Sequence, residues 1–201
     1  MTIKINFNKN SQKKISTNIV LFVDEKFNTN PLKKYISSLE FSYITDLLKT
    51  SDLNKKLFVF ELSSKKKIIL ISIKKNIKSS DIESLGADLY LRINYGKNSE
   101  YFLNSDSLIT SQKNFIGHFL HGLKLKSYEF KKYKSKNEKR TITFNVVGNK
   151  NIPSKKEQTK FKALEEGTFY ARDLVSEPGN VLHPDEYARR LKSLKKFGLK
   201  V

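Results

Sequence analysis

The chain has 201 residues and a formal net charge of +19, and it contains no cysteine or tryptophan. This length suits one good core plus additional material, and the absence of cysteine excludes a disulfide scaffold or a thiolate metal site. No apolar run approaches the roughly 20 residues of a membrane helix, and the first residues lack the apolar centre of a signal peptide. We therefore expect a soluble cytoplasmic protein with no membrane partner.

Lysine supplies most of the positive charge, because only five of the 39 basic residues are arginine. Basic chains attract nucleic acids and anionic lipids. An AT-rich genome also produces surfaces rich in lysine, asparagine and isoleucine. Moreover, arginine rather than lysine is the usual bidentate reader of guanine. Two interpretations stay open: compositional drift, or weak nonspecific binding of DNA.

The first half of the chain mixes strand and helix patterns. Residues 2–8 alternate apolar and polar side chains, whereas 18–24 form a continuous apolar run that suits a strand buried on both faces. Ser80 and Glu83 have the spacing of a capping box. The predicted elements are strands at 2–8 and 18–24, one or two helical segments between Pro31 and Lys49, strands at 56–62 and 66–73 joined by a hairpin at Ser63-Ser64, and a helix from Ser80 to about Tyr95 that Gly96 ends.

The second half adds longer helices. Ser154 and Glu157 form a second capping-box pattern, and Pro184 suits the first turn of a helix. The predicted elements are a short strand or loop at 99–110, a helix marked by Phe115 to Leu123, a strand at 140–147, a long helix from Ser154 that Pro178-Gly179 ends, and a helix from Pro184 that Gly198 stops. Strands mixed with helices in this way indicate an α/β layered domain with a mixed sheet.

The histidines are the first candidates for a metal site. His118 and His121 lie three residues apart on a predicted helix, which puts two imidazoles near one face, as a metal pair requires. A third ligand is not evident, so we expect one histidine at the edge of the core and the other in solvent. His183 lies in a turn and has no visible partner.

Two pairs of adjacent carboxylates are the next candidates, Glu165-Glu166 and Asp185-Glu186. Adjacent helical residues point about 100° apart, so neither pair converges on a metal or a proton. We expect both pairs on solvated helix faces. The glycines form neither a GxGxxG nor a GxxxxGK phosphate loop. The sequence therefore assigns no catalytic, metal-binding or cofactor-binding residue to this chain.

An aromatic and basic run, KSYEFKKYK, covers residues 126–134. Tyr128, Phe130 and Tyr133 among lysines suit the stacking of bases while ammonium groups follow phosphates. The alternative is that the three rings pack within the protein. The sequence favours packing, because the three rings occur in a pattern that resembles one shared by proteins with peptide substrates.

Two segments carry a resemblance to a known family. ARDLVSEPGNVLHPDEYA, residues 171–188, resembles the segment joining the two domains of leucyl (cytosol) aminopeptidases. HGLKLKSYEFKKYKSK, residues 121–136, is similar to the Gly–Leu, Ser–Tyr–x–Phe and Tyr–Lys pattern late in that family's amino-terminal domain. The resemblance is specific around 121–136 and 163–191 and diffuse over 1–110. His183 departs from it, because the family usually has threonine or serine there, and histidine caps a helix poorly.

The resemblance implies a macro-domain-like amino-terminal domain at 1–153, a linker helix at 154–177 and the start of a truncated catalytic domain at 178–201. It also implies a parent protein that removes amino-terminal residues from peptides with two divalent metals, zinc or manganese, and that assembles as a hexamer. The family's metal ligands and catalytic residues lie in its carboxy-terminal domain, including the signature Asn-Thr-Asp-Ala-Glu-Gly-Arg, which does not occur here. We therefore expect a non-catalytic chain that is inactive alone and holds no cofactor.

Two other functions stay open. One is a stand-alone basic α/β module that binds nucleic acid electrostatically, since some bacterial members of the family also bind DNA. The other is a macro-domain-like nucleotide binder, although the chain has no phosphate loop. We also expect the apolar stripe of 184–201 to fray where no catalytic domain covers it.

Overall fold

A six-stranded mixed sheet forms the centre of the protein. The computed structural model describes residues 2–8, 17–94, 99–109, 112–135 and 140–200. The sheet has the order β1-β6-β5-β2-β4-β3, and only β3 is antiparallel to its neighbour. Its strands are β1 (Thr2–Asn8), β2 (Asn18–Asp24), β3 (Leu57–Ser63), β4 (Lys66–Ile73), β5 (Ser99–Asn104) and β6 (Thr141–Val147). The predicted mixed α/β sheet is confirmed.

Within these described ranges, five α-helices accompany the sheet. They are α1 (Ser38–Lys49), α2 (Ser79–Ile93), α3 (Phe115–Lys126), α4 (Lys155–Ser176) and α5 (Pro184–Lys192), with 3₁₀ turns at Asn30–Lys34, Ser105–Ser107 and Ser193–Phe197. The predicted region 31–49 is thus a 3₁₀ turn followed by one helix. No helix within the described ranges is long and apolar enough to cross a membrane.

Two hydrophobic clusters, one on each face, hold the sheet between layers of helix. Val20 and Phe22 of β2 pack with α2 and α3, whereas Ile19 and Leu21 pack with α1 and the first 3₁₀ turn. β2 is therefore buried on both faces, as its continuous apolar run predicts. The central strands β2 and β4 supply most of the side chains that join the two layers.

One half of the second face carries polar side chains. On β1, β6 and β5, Asn6 Nδ2 donates to Asn145 Oδ1 over 2.9 Å, and Asn145 Nδ2 donates to Glu100 Oε1 over 2.5 Å. The same strands present Ile3, Ile142 and similar residues to the opposite, apolar cluster. β1 and β6 thus alternate between an apolar and a polar face, as strands with one buried face do.

Capping boxes open two helices, although only one was predicted correctly. The Ser154–Glu157 box begins α4 as the sequence indicates. The predicted box at Ser80 is wrong, because α2 begins after Lys78 and has no side-chain cap. Ser37 and Glu40 form an unpredicted box at the start of α1. Tyr95 and Gly96 lie outside the described residues, and the helix before them ends at Ile93. At the other end of the chain, Gly198 terminates the last turn in a left-handed conformation, φ +83°, as predicted.

Close backbone contact fixes α2 against α3. A Cβ added at Gly122 of α3 would lie 2.0 Å from the carbonyl oxygen of Glu83, and one at Gly86 of α2 would lie 1.9 Å from that of Phe119. These neighbours are backbone atoms of regular helices, which cannot rotate away as a side chain can. The two glycines therefore permit the helix spacing on which the apolar cluster depends.

We expect Gly122→Ala to lower the free energy of unfolding by about 1–3 kcal/mol, because overpacking must separate the two helices. Gly167→Ala is the matched control, since Gly167 of α4 has nothing within 4 Å of an added Cβ. That change should raise stability by up to about 1 kcal/mol through helix propensity. Urea unfolding followed by circular dichroism measures both. Equal stability of the two variants would contradict the close contact.

Candidate functional site on helix α4

Helix α4 lies against α3, and its contacts include several hydrogen bonds and ion pairs. Of its 22 residues only Phe161 and Glu165 are buried. The sequence does not distinguish these two residues from others in the long helix. In the structure they make the first of several side-chain contacts that continue along α4 to α5. Because a helix normally docks through an apolar stripe, the polar contacts of α4 are the feature to explain.

The first contact lies in the middle of α3. The ring of Phe161 packs edge-on against His118, with 5.0 Å between centroids, and lies 5.5 Å from His121. Lys124 Nζ donates to Glu165 Oε2 over 2.9 Å, while His121 Nδ1 lies 3.7 Å from Glu165 Oε1. The expectation that Glu165 is solvated is wrong. It is buried because α4 turns that face towards Lys124, which neutralises it, whereas Glu166 stays exposed.

His118 is not in solvent either, so that expectation is also wrong. Its Nδ1 lies 2.8 Å from Glu83 Oε1 of α2, and its side chain is 25% exposed. His118 and His121 thus each face a different carboxylate and flank the same phenylalanine. Across the described part of the chain, no three histidine, aspartate, glutamate or cysteine residues group closely enough to hold a metal.

The aromatic run packs on the second half of α4. Tyr128 Oη donates to Asp173 Oδ1 over 2.7 Å, its ring lies 5.3 Å from that of Phe169, and the guanidinium of Arg172 lies over it at 5.5 Å. Desolvation, and then the hydrogen bond to the Asp173 carboxylate, raise the pKa of Tyr128. Arg172 also donates to the Leu125 carbonyl over 2.6 Å. These contacts favour packing over base stacking for Tyr128.

The carboxyl end of α4 carries a cluster that we call the Glu177 clasp: Lys132, Tyr133, Glu177 and Arg190. Lys132 Nζ lies 2.5 Å from Glu177 Oε1 and Arg190 Nη1 lies 2.9 Å from it, while Tyr133 Oη donates to the other oxygen. The Glu177 side chain is only 1% exposed. The three donors lower the pKa of Glu177 to about 2, Lys132 having the largest effect. The carboxylate is therefore ionised wherever the protein is folded at neutral pH.

Arg190 extends the clasp to α5. Its Nε donates to Glu186 Oε1 over 2.7 Å, and its carbonyl accepts from Tyr170 Oη over 2.9 Å. Arg189 and Arg190 lower the pKa of Glu186 to about 2. Glu186 is thus not on a simply solvated face, contrary to expectation, although Asp185 is exposed. His183 is the N-cap of α5 and makes no side-chain capping bond.

The two segments that resemble the aminopeptidase family therefore contact each other. Lys132 and Tyr133 come from 121–136, whereas Glu177 and Arg190 come from 163–191. Sequence reasoning missed the clasp. No local spacing joins residues 44 or 45 positions apart, and the resemblance itself was the only signal that linked these segments.

The carboxyl ends of the parallel strands, where α/β proteins usually bind ligands, are filled by the chain's own polar groups. Asp106 Oδ1 accepts the backbone N–H groups of Asn149 and Lys150 over 2.9 and 2.7 Å. Ser107 Oγ accepts the N–H of Phe22 over 3.0 Å. A bound phosphate would have to accept hydrogen bonds from such N–H groups, and the Asp106 carboxylate already accepts from two of them. This arrangement does not favour the nucleotide-binding interpretation.

Several curated proteins are similar to part of the chain, although no family model matches it. A probable cytosol aminopeptidase of Sinorhizobium fredii is 38% identical over 90 residues, which is 41% of this chain and 18% of that protein. One from Nitrobacter winogradskyi is 26% identical over 140 residues, 66% of this chain and 28% of that protein. The chain thus matches less than a third of the length of these relatives.

Solved structures show the same fold. A tomato leucine aminopeptidase mutant superposes with a TM-score of 0.71 at 16% identity, covering 98% of this chain and 42% of that one. The bottromycin maturation enzyme BotP, in complex with Mn, gives a TM-score of 0.63 at 12% identity, covering 91% and 37%. Part of the chain is thus homologous to the cytosol aminopeptidases, and the chain has the fold of the amino-terminal region of a leucine aminopeptidase.

Proposed function

We propose that the chain is the non-catalytic amino-terminal part of a leucyl aminopeptidase. Residues 1–153 form the domain, the helix at 154–177 is the linker, and 178–201 begin the catalytic domain. The observation that carries this proposal is the Glu177 clasp, because it joins the domain to the last turn of α4 and to α5. A linker helix that orients the next domain needs a carboxyl end that is fixed relative to the segment after it.

Exposed apolar side chains beyond Glu177 support the same proposal. Tyr187 is 44% exposed, Phe197 70% and Leu199 53%. Each large apolar side chain left in water forgoes about 1.5–3 kcal/mol of burial. In the whole protein these residues would pack against the catalytic domain, which fits the linker role of α4.

The parent protein would remove amino-terminal residues from peptides with two divalent metals, zinc or manganese, in a cytoplasmic hexamer. This chain's own donors do not fit that metal centre. His118 and His121 each face one carboxylate on a different helix, and the family's metal signature is not in the sequence. The part of this chain in the reaction is therefore to position the catalytic domain, without contact to the scissile bond.

The purified chain should show no aminopeptidase activity. The reason is that the family's metal signature is not in the sequence. An assay with leucine p-nitroanilide and added manganese or zinc measures the activity. Turnover that co-purifies with the chain and is lost on chelation would contradict the non-catalytic role.

We expect Glu177→Gln to release the segment 178–200 while the domain stays folded. A neutral amide cannot neutralise both Lys132 and Arg190, so the link between α4 and α5 weakens. Limited proteolysis at neutral pH, read by mass spectrometry, should show cleavage within 178–200 several-fold faster than in the unmodified chain. Glu166→Gln is the matched control, since Glu166 is a largely exposed carboxylate of the same helix and such pairs contribute little.

Acid should have the same effect on the unmodified chain. The pKa of Glu177 is lowered from 4.5 to about 2, so its contribution is complete above pH 4.5 and is lost as the pH falls towards 2. Hydrogen exchange at a series of pH values should show 184–197 losing protection in that window. If 184–197 were as protected as the central strands in Glu177→Gln, the clasp would not hold this segment.

A nucleic-acid-binding module is the second candidate, and the net charge of +19 favours it. The arginines argue against base-specific recognition, because four of the five already bind groups of the protein. Arg140 donates to Ile93, Arg172 to Leu125, Arg189 to Glu186 and Arg190 to Glu177. Lysine ammonium groups can follow phosphates, but they offer no planar fork to guanine.

Any binding of duplex DNA should therefore be weakly selective for sequence and steeply dependent on salt. Affinity should fall by orders of magnitude between roughly 50 and 200 mM salt, because lysines release condensed counterions. Fluorescence anisotropy with two unrelated duplexes of equal length tests both points. A strong preference for one duplex at physiological salt would favour the module over the aminopeptidase domain.

A further inference from the structure

Strand β1 is an open edge of the sheet. The order of strands ends at β1, whose seven residues pair in unbroken register with β6. Thr2 N–H donates to the Arg140 carbonyl on the β6 side. Because alternate residues of a strand point their backbone groups to opposite sides, Ile3, Ile5 and Phe7 point theirs away from β6. Among the described residues, these outward groups have no backbone partner.

The opposite edge differs. β3 pairs with β4 through a register shift between Glu61 and Ser63. A bulge is a common means of blocking an edge strand. β1 has no such irregularity over its length, so it is the edge suited to accept another strand.

A cavity of about 360 Å³ lies beside this edge, between β1, α3 and α4. Its apolar walls are Ile5, Phe7, Leu120, Pro153 and Phe161. Phe161 is held in place by close contact, because a Cβ added at Gly117 of α3 would lie 2.2 Å from its ring. The cavity is therefore preformed, and it lies on the face to which Ile5 and Phe7 point.

The rim of the cavity is basic. Lys124, Lys155 and Lys162 line it, and Glu165 is the one acidic residue among the described lining residues. Lys162 Nζ lies 3.8 Å from Glu166 Oε1, and both side chains are largely exposed. One oxygen of Glu165 already accepts from Lys124. Lys4, on the opposite face of β1, is exposed. An acidic partner is thus favoured on both faces of the edge, whereas a second copy of a chain with net charge +19 is repelled.

We propose that the groove between β1 and α4 binds an extended acidic segment of another protein, which adds to the sheet as a seventh strand. Backbone groups of Ile3, Ile5 and Phe7 hydrogen-bond to the segment, and one of its apolar side chains enters the cavity. Its alternate, acidic residues face Lys4. A strand held between a sheet edge and a helix is an established mode of peptide recognition. The inference does not depend on aminopeptidase activity.

A capped, fluorescent heptapeptide of alternating glutamate and leucine is the probe, and anisotropy with the full chain is the measurement. Ile5→Pro removes one outward N–H without removing a bond to β6. Thr159→Trp fills the cavity from α4, because Thr159 lines it. Each change should weaken binding by about tenfold or more, which is about 1.4 kcal/mol.

Thr168→Trp is the matched control. Thr168 and Thr159 make the same hydroxyl bond to the carbonyl four residues earlier on α4, over 2.8 and 3.0 Å, but Thr168 does not line the cavity. Its binding should equal that of the unmodified chain. The same peptide with alternate amides N-methylated should not bind, and circular dichroism should show all three variants folded.

Three outcomes would overturn the proposal. One is no binding of the heptapeptide by the unmodified chain. Another is binding that survives both Ile5→Pro and N-methylation and disappears with salt, which would show attraction by charge alone. The third is a dimer in sedimentation that Ile5→Pro dissociates, which would make a second copy the occupant of this edge.

Discussion

The position of helix α4 depends on two buried carboxylate side chains that pair with lysines from α3 and the segment after it. Glu165 faces Lys124 near the middle of the helix, and Glu177 faces Lys132 at its end. Burying a charge is costly unless it is paired. An apolar stripe tolerates a small shift of one helix along another, but a shift here would leave a carboxylate without its cation. The charges therefore fix direction and register more than they add stability.

The sequence predicts those parts of the fold that depend on local patterns. Strands β1, β2 and β6 follow from alternation or from a continuous apolar run, which are local patterns. Capping boxes are local too, yet the pattern alone is ambiguous. Ser154 caps α4, whereas Ser80 lies inside a helix that begins at Ser79, and the equivalent pattern at Ser37 was not singled out. A cap depends on where the preceding chain enters the helix, which tertiary contacts decide.

The contacts of the candidate site join residues that are far apart in the sequence. Glu165 and Lys124 are 41 residues apart, and Tyr133 and Glu177 are 44 apart. Charged residues at adjacent positions on a helix point in different directions, so Glu165 and Glu166 have unlike environments although their local sequence is the same. Only the docking of α4 distinguishes them. For this reason the sequence misplaced Glu165 and Glu186, and it wrongly expected one of the two histidines of α3 in solvent.

The placement of carboxylates also bears on the meaning of the net charge. The chain has 39 basic residues and 20 acidic ones, and several of the acids are used in contacts that hold elements together. Glu40 pairs with Lys66 between α1 and β4, Glu83 with His118, and Glu177 with Arg190. These acids are shielded from water to different degrees, because the side chains of Glu40, Glu83 and Glu177 are 18%, 32% and 1% exposed. The positive excess itself is a property of the composition, and lysine supplies most of it, so a positive exterior does not by itself require a nucleic-acid partner.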